Sequence, residues 1–292
     1  MAVLSIDLAY RRWSDLGIVI LEQGGGAQAA RTPGAPIKRG SVPRGPLDPG
    51  PVASQTITCE IISAETQWGA PGLDADTDSG PIDAEILAGR LSHLANVRGI
   101  RVMMLDGPQA WKSNSNGLVH ARVSERELNT AAKTGLPGVV RPVTYRPFAE
   151  FCIDVWDALC RRGWRRLSTR ERTGMPQERV LVESYPHAAW KSLGLKPLCS
   201  KRRARVSDLA QSCSDLKSVV PFTASQAPNH DQLQAIVGGL PGLALEGESA
   251  GGAHAQMRIV GKPPHREDGQ WREGFIVLPV APRPGAGLRW LN

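Results

Sequence analysis

Residues 179–194 read RVLVESYPHAAWKSLG: an apolar run with an acid, Glu183, where it stops, then Tyr185-Pro186 opening onto Ala188, Ala189, Trp190 and Leu193. A short run rich in valine and leucine that ends at a proline turn has the pattern of a buried strand followed by a helix. An isolated charge in such a place is too costly to keep, so Glu183 has to be solvated, paired or bound to a cation. The arrangement recurs: VLSIDL (3–8) carries Asp7 near its end, and IRVMMLDGP (100–108) carries Asp106 where the apolar run meets Gly-Pro.

Outward from these three runs the chain alternates strand and helix signals. LGIVIL (16–21) follows the first run after a polar, aromatic turn, which predicts a hairpin, and the β-branched SQTITCEII (54–62) predicts a third strand. Between them, residues 24–54 are dominated by Gly, Pro, Ala and Arg, the composition of a loop or disordered insertion, and an acidic, Gly-containing loop follows at 69–80. PIDAEILAGRLSHLANV (81–97) opens with Pro and spaces Ile86, Leu87, Leu91, Leu94 and Val97 as an amphipathic helix. Further helices are expected over 120–135, over 147–164 with Phe148, Phe151, Val155, Trp156 and Leu159 on one face, from Pro186, near 200–216, and from about Asn229. Two short strands near 256–260 and 274–278 close the chain, and there is no internal repeat.

This order predicts an α/β fold on one mixed sheet, the first three strands antiparallel and the later ones parallel, added by right-handed crossovers and flanked by helices. Residues 1–292 read as one domain, with a Gly/Pro-rich insertion at about 24–54 and a helical, basic insertion at about 118–178.

Composition narrows the function classes. With 41% apolar residues the chain can build a full core, and no run approaches the ~18 apolar residues of a membrane span. The N-terminus has no basic segment followed by an apolar one and a cleavage site, so the reading is a cytoplasmic protein without a membrane partner. Five scattered cysteines without a CxxC pair argue against a disulfide framework or a thiolate zinc site and for buried free thiols. Net charge is +7, and residues 151–215 hold thirteen Lys or Arg against seven Asp or Glu, so that segment could face a polyanion.

If the three acid-tipped strands are parallel neighbours, Asp7, Asp106 and Glu183 share one sheet edge. Strands lie roughly 4.8 Å apart, so their carboxylates can converge on a divalent cation bound at about 2.0–2.1 Å. Ligand sites of open α/β sheets also gather beyond strand carboxyl ends. Asp231 in NHDQLQAIVGG is a fourth candidate: Asn229 and Gln232 form a capping-box pattern that puts Asp231 in a first helical turn, where the helix dipole alone would favour an acid. Each acid read singly is equally a strand cap or an ion-pair partner, and Asp-Gly at 106–107 is an ordinary turn. Their recurrence is what points to a shared cation.

SIDLAY, MMLDGPQAW, RVSERELNTAAKTG, VLVESYPHAAWKSLG and NHDQLQAIVGGL resemble, in this order, the landmarks of the family filed as domain of unknown function 429, described as predicted nucleases with an RNase H-like fold. The most specific part is Glu183-Ser-Tyr-Pro-His followed by Trp190, similar to the family's Glu-x-x-Pro-x-x-x-aromatic pattern; the Arg-x-x-acid element is Arg122 and Glu125. The resemblance implies an RNase H-like mixed sheet and a two-metal site of Asp7, Asp106, Glu183 and Asp231 holding Mg²⁺ or Mn²⁺ for phosphodiester hydrolysis on nucleic acid. The chain departs from the pattern at Gln234, where a second acid would be expected, and lacks the usual cysteine near Arg122.

Arg161, Arg162, Arg165 and Arg166 flank Trp164, and Lys201, Arg202, Arg203 and Arg205 open a later helix; arginine beside an aromatic ring suits phosphate contact and base stacking. The plain alternative is a solvated helix end. His187 and His230 read as helix-start residues or proton shuttles, and Trp111 and Trp190 as core. Two rival functions stand beside the nuclease reading: a non-catalytic nucleic-acid-binding protein using the basic segment, and an actin-like-fold nucleotide phosphotransferase. Against the second, AYRRWSD after the first strand offers two arginines in place of a Gly-rich phosphate loop.

Overall fold

The structure is a computed structural model, which describes residues 1–24, 56–68, 81–170, 178–249 and 257–281. The expected loop at 69–80 and, apart from Gly24, the insertion at 24–54 lie outside these. The elements are β1 (Ala2–Asp7), β2 (Gly17–Gln23), β3 (Ile57–Ile62), α1 (Ala64–Trp68), α2 (Ala84–Val97), β4 (Val102–Asp106), α3 (Val123–Leu128), β5 (Lys133–Thr134) and β6 (Val140–Arg141). They continue with α4 (Arg146–Arg161), β7 (Arg165–Arg166), β8 (Val180–Ser184), α5 (Pro186–Ser192), α6 (Val206–Val219), β9 (Phe222–Ala224), α7 (His230–Ser249), β10 (Met257–Glu267) and β11 (Gln270–Pro279).

The main sheet runs β10-β11-β8-β4-β1-β2-β3-β9, with β7 beside β8. β1, β2 and β3 are antiparallel, β4 pairs parallel to β1, and β8 parallel to β4. This is a mixed sheet of antiparallel and parallel strands flanked by helices.

Strand alternation divides the core in two. Val3, Val102, Met104, Val180 and Val182 pack with Leu233, Ile236, Val237 and Leu240 of α7. Leu4, Ile6, Met103, Leu105 and Leu181 pack on the other face with Leu87 and Leu91 of α2 and Val155 and Trp156 of α4. Trp111 and Trp190 are core residues.

α7 sits low on the sheet because its contact face is glycine. A Cβ at Gly239 would come 2.7 Å from Ser5 Cβ, and one at Gly242 2.6 Å from Val3 Cγ1. Gly17 does the same from the sheet side: a Cβ there would lie 2.1 Å from the Asp231 carbonyl oxygen. Ser5 Oγ donates to the Ala235 carbonyl at 2.7 Å, which fixes the depth. The first turn of α7 is thereby brought against the carboxyl end of β1.

Several expectations need correction. In α2, Leu87, Leu91 and Leu94 are buried, but Ile86 and Val97 are 52% and 69% exposed, since the buried stripe continues through Ala88 and Ala95. That helix begins at Ala84, capped by Asp83, which accepts from Ile86 N at 2.9 Å. The helix expected over 120–135 is only α3: Asn129 turns left-handed (φ 49°) and the Glu125 carboxylate draws the chain back by accepting from Thr134 N. The basic run 200–205 precedes α6 rather than opening it, with Asp208 accepting from Arg205 N at the helix start. The closing strands form a long hairpin of 11 and 10 residues whose β11 joins β8 in parallel. Cys199 is exposed and Cys160 and Cys213 are half-buried; only Cys59 and Cys152 are buried, and all five are free thiols. No helix among the described residues is long and apolar enough to cross a membrane.

Candidate active site

Asp7 and Asp106 end adjacent parallel strands in direct register. Parity places both on the α7 face, since Ser5 and Met104, two residues before them, face α7. The two carboxyls interact directly, and each acts on the titration of the other. Burial raises Asp7 well above the ordinary carboxylate range, and the charges of Asp106 and Asp231 raise it further, with Lys201 acting in the opposite direction. Burial likewise pushes Asp106 up to about 7. Two acids side by side with no cation between them settle by sharing a proton.

Asp231 completes this corner from above. Asn229 and Gln232 form the expected box, Gln232 N donating to Asn229 Oδ1 and Asn229 N to Gln232 Oε1, both at 2.9 Å. Asp231 is buried, and each of its oxygens has a nitrogen partner. Lys201 Nζ donates to Oδ2, and His230 Nδ1 lies 3.0 Å from Oδ1. Lys201 also reaches Asp15 Oδ1 at 2.7 Å. Burial opposes the Lys201 charge, but its hydrogen bonds to Asp15 and Asp231 outweigh that and hold it above its ordinary value.

Glu183 lines the same cavity as Asp106 but is already paired. It pairs in register with Leu105, one residue before the strand end, so its side chain lies on the α2/α4 face; Ser184 is the residue level with Asp106. The Arg122 guanidinium grips it with two bonds, Nη2 to Oε1 at 2.6 Å and Nη1 to Oε2 at 2.7 Å, and Gln109 N adds a third at 3.1 Å. Arg122 Nε donates in turn to Glu125 Oε1 at 3.1 Å. Burial raises Glu183 above its ordinary value, and Arg122 and the Gln109 N–H oppose this without cancelling it. Burial alone would lower Arg122, but Glu183 and Glu125 hold it above its ordinary value as a permanent cation.

Of the four candidate acids, the structure brings together Asp7 and Asp106, sets Asp231 within electrostatic reach of Asp7, and sets Glu183, already gripped by Arg122, within electrostatic reach of Asp106. Among the described residues no group of three or more His, Cys, Asp or Glu side chains is placed to hold a metal ion. The Asp7–Asp106 pair nonetheless fits one chemically: hard oxygen donors, adjacent and in no salt bridge among the described residues, suit Mg²⁺ or Mn²⁺.

The basic candidates also separate. Arg161 and Arg162 both bind Glu85, Arg165 binds Glu178, and Arg166 is buried against Asp157, where its guanidinium lies over Trp271 and Trp156. Arg202 and Arg203 are exposed and form no ion pair among the described residues. His187 is exposed at the second residue of α5. A cavity of about 310 Å³ opens beside Asp106 and Glu183, with Arg122, Tyr145, Phe148 and Tyr185 also in its wall.

Sequence reasoning missed Ser184, Gly17 and the bridging role of Lys201. Parity was the available signal for the first: counting twos from Val180 puts Val182 and Ser184, and not Glu183, on the face that Val102, Met104 and Asp106 share.

No family model matches the chain, and no curated protein matches it. Among solved structures, RuvC of Thermus thermophilus is similar, at 10% identity over 86% of this chain and 95% of that one, with a TM-score of 0.34.

Proposed function

We propose that the chain is a divalent-cation-dependent hydrolase of phosphodiester bonds in nucleic acid, with Asp7 and Asp106 as the residues that hold the cation. The observation that carries this is the pair of buried acids in direct register at the carboxyl ends of β1 and β4, neither of which forms a salt bridge among the described residues. Bound there, Mg²⁺ or Mn²⁺ would supply Lewis-acid charge to a phosphodiester and lower the pKa of water. Asp231 and Glu183 stand at the rim of the site, neutralised by Lys201 and Arg122 and not bound to the cation. Arg202 and Arg203, exposed beside Lys201, suit phosphate contact, and the aromatic wall of the 310 Å³ cavity suits an unstacked base.

The test is cleavage of single-stranded, duplex and branched DNA and RNA by the purified chain with Mn²⁺ or Mg²⁺. Activity that chelator abolishes and Asp7→Asn removes supports the reading; cleavage equal in the Asp7→Asn protein overturns it.

A second reading is non-catalytic nucleic-acid binding. It is favoured by the internal neutralisation of Glu183 and Asp231, which leaves two of the four acids already satisfied. Binding that falls steeply with salt, unchanged by chelator and by Asp7→Asn, would select it.

A further inference from the structure

The four acids differ in what already neutralises them. Glu183 has Arg122, and Asp231 has Lys201 on one oxygen and His230 beside the other. Asp7 and Asp106 have each other. Lys201 is not a casual surface contact: its ammonium joins Asp15, just ahead of β2, to Asp231, in the first turn of α7. The same turn is held from a second point, where His230 Nε2 lies 2.9 Å from the Cys199 carbonyl oxygen. The segment is thus anchored to the acidic corner at Cys199 and at Lys201, and half of the Lys201 side chain is exposed.

We infer that Lys201 is a built-in cation of this site, standing where a second divalent ion would otherwise bind, so that the chain takes one metal ion at Asp7 and Asp106 and not two. This rests on the hydrolase reading above and refines it. While Lys201 holds Asp231, that carboxylate offers no free oxygen. A monovalent ammonium on a flexible stem neutralises it without fixing coordination geometry. Lys201 is a positioning residue in this scheme: it holds the Asp231 carboxylate in place, and it fixes the loop that presents Arg202 and Arg203.

The test is calorimetric titration of the metal-free chain with MnCl₂ at pH 8, on the wild type, Lys201→Met, Lys201→Met/Asp231→Asn and Asp7→Asn, each checked for its fold by circular dichroism. The expected stoichiometries are one Mn²⁺ per wild-type chain, two for Lys201→Met, one again for the double variant and none for Asp7→Asn. Lys201→Gln replaces the methionine variant should that one fail to fold. Two ions on the wild type, or one on both the wild type and Lys201→Met, overturns the role of Lys201 and leaves the hydrolase reading standing. A wild type that binds none removes the metal reading itself.

Discussion

Asp106 and Glu183 stand on neighbouring parallel strands, one residue out of step, and their fates are opposite. Asp106 lies beside Asp7 at the strand edge and forms no salt bridge among the described residues. Glu183 lies on the α2/α4 face and is locked by an arginine that is itself buried. The difference is a matter of parity along a strand, because each step of one residue exchanges the two sheet faces. A buried carboxylate with a bidentate guanidinium is a structural device that ties α3 to β8, whereas one left without such a partner is a reactive one. The uncompensated pair costs stability and is the better candidate for chemistry.

That contrast can be broken most forcefully at Arg122. Arg122→Met leaves Glu183 buried without its partner and should cost about 3–5 kcal/mol in denaturant unfolding. Adding Glu183→Gln should restore most of it; a loss that persists undiminished in the double variant would mean the ion pair is not what holds α3. The opposite behaviour is expected at the other acid. Asp7→Asn should lower metal-dependent cleavage by about 100-fold or more, in the range seen when a key charge-stabilising group is removed, while unfolding at pH 8 without metal shows no loss of stability.

A smaller effect is expected from seating. Gly17→Ala drives a methyl group into the Asp231 carbonyl and should cost about 1–3 kcal/mol by lifting the start of α7. The pH dependence sharpens the comparison further. Asp7 and Asp106 are raised in the folded state, so between about pH 4 and 7 the native chain binds more protons than the unfolded one. Stability from the pair is therefore present at low pH and lost as pH rises through about 7, the value to which Asp106 is pushed. Thermal melts of the metal-free protein should fall by a few degrees across that window, and Asp106→Asn should flatten the fall. Least affected will be Arg161→Ala, an exposed partner of Glu85, which should change unfolding by less than about 0.5 kcal/mol. Nucleic-acid binding should be insensitive to it, while Arg202→Ala should reduce the salt slope by about one.

Much of this fold was legible because its signals are local. Short apolar runs marked β1, β2, β4 and β8, the capping box at Asn229 and Gln232 marked the start of α7, and the acids at the ends of β1 and β4 marked the edge that matters. What was not legible depends on partners distant in sequence. That Arg122 reaches across 61 residues to Glu183, or Lys201 across 30 to Asp231, is decided by packing and not by any nearby pattern. The same holds for Arg161, Arg162, Arg165 and Arg166, which looked like a phosphate-binding cluster until Glu85, Glu178 and Asp157 were seen to take them. The truncation of α3 also has a tertiary origin, since Glu125 serves both Arg122 and Thr134. Only the face of Glu183 could have been read earlier, by counting along the strand.

Which acids take a cation can be read from a crystal grown with MnCl₂ at pH 8. An anomalous peak is expected about 2.0–2.2 Å from oxygens of both Asp7 and Asp106, with the Arg122–Glu183 pair intact. No peak at Asp7 and Asp106, or a peak at Glu183 with Arg122 displaced, would contradict this assignment.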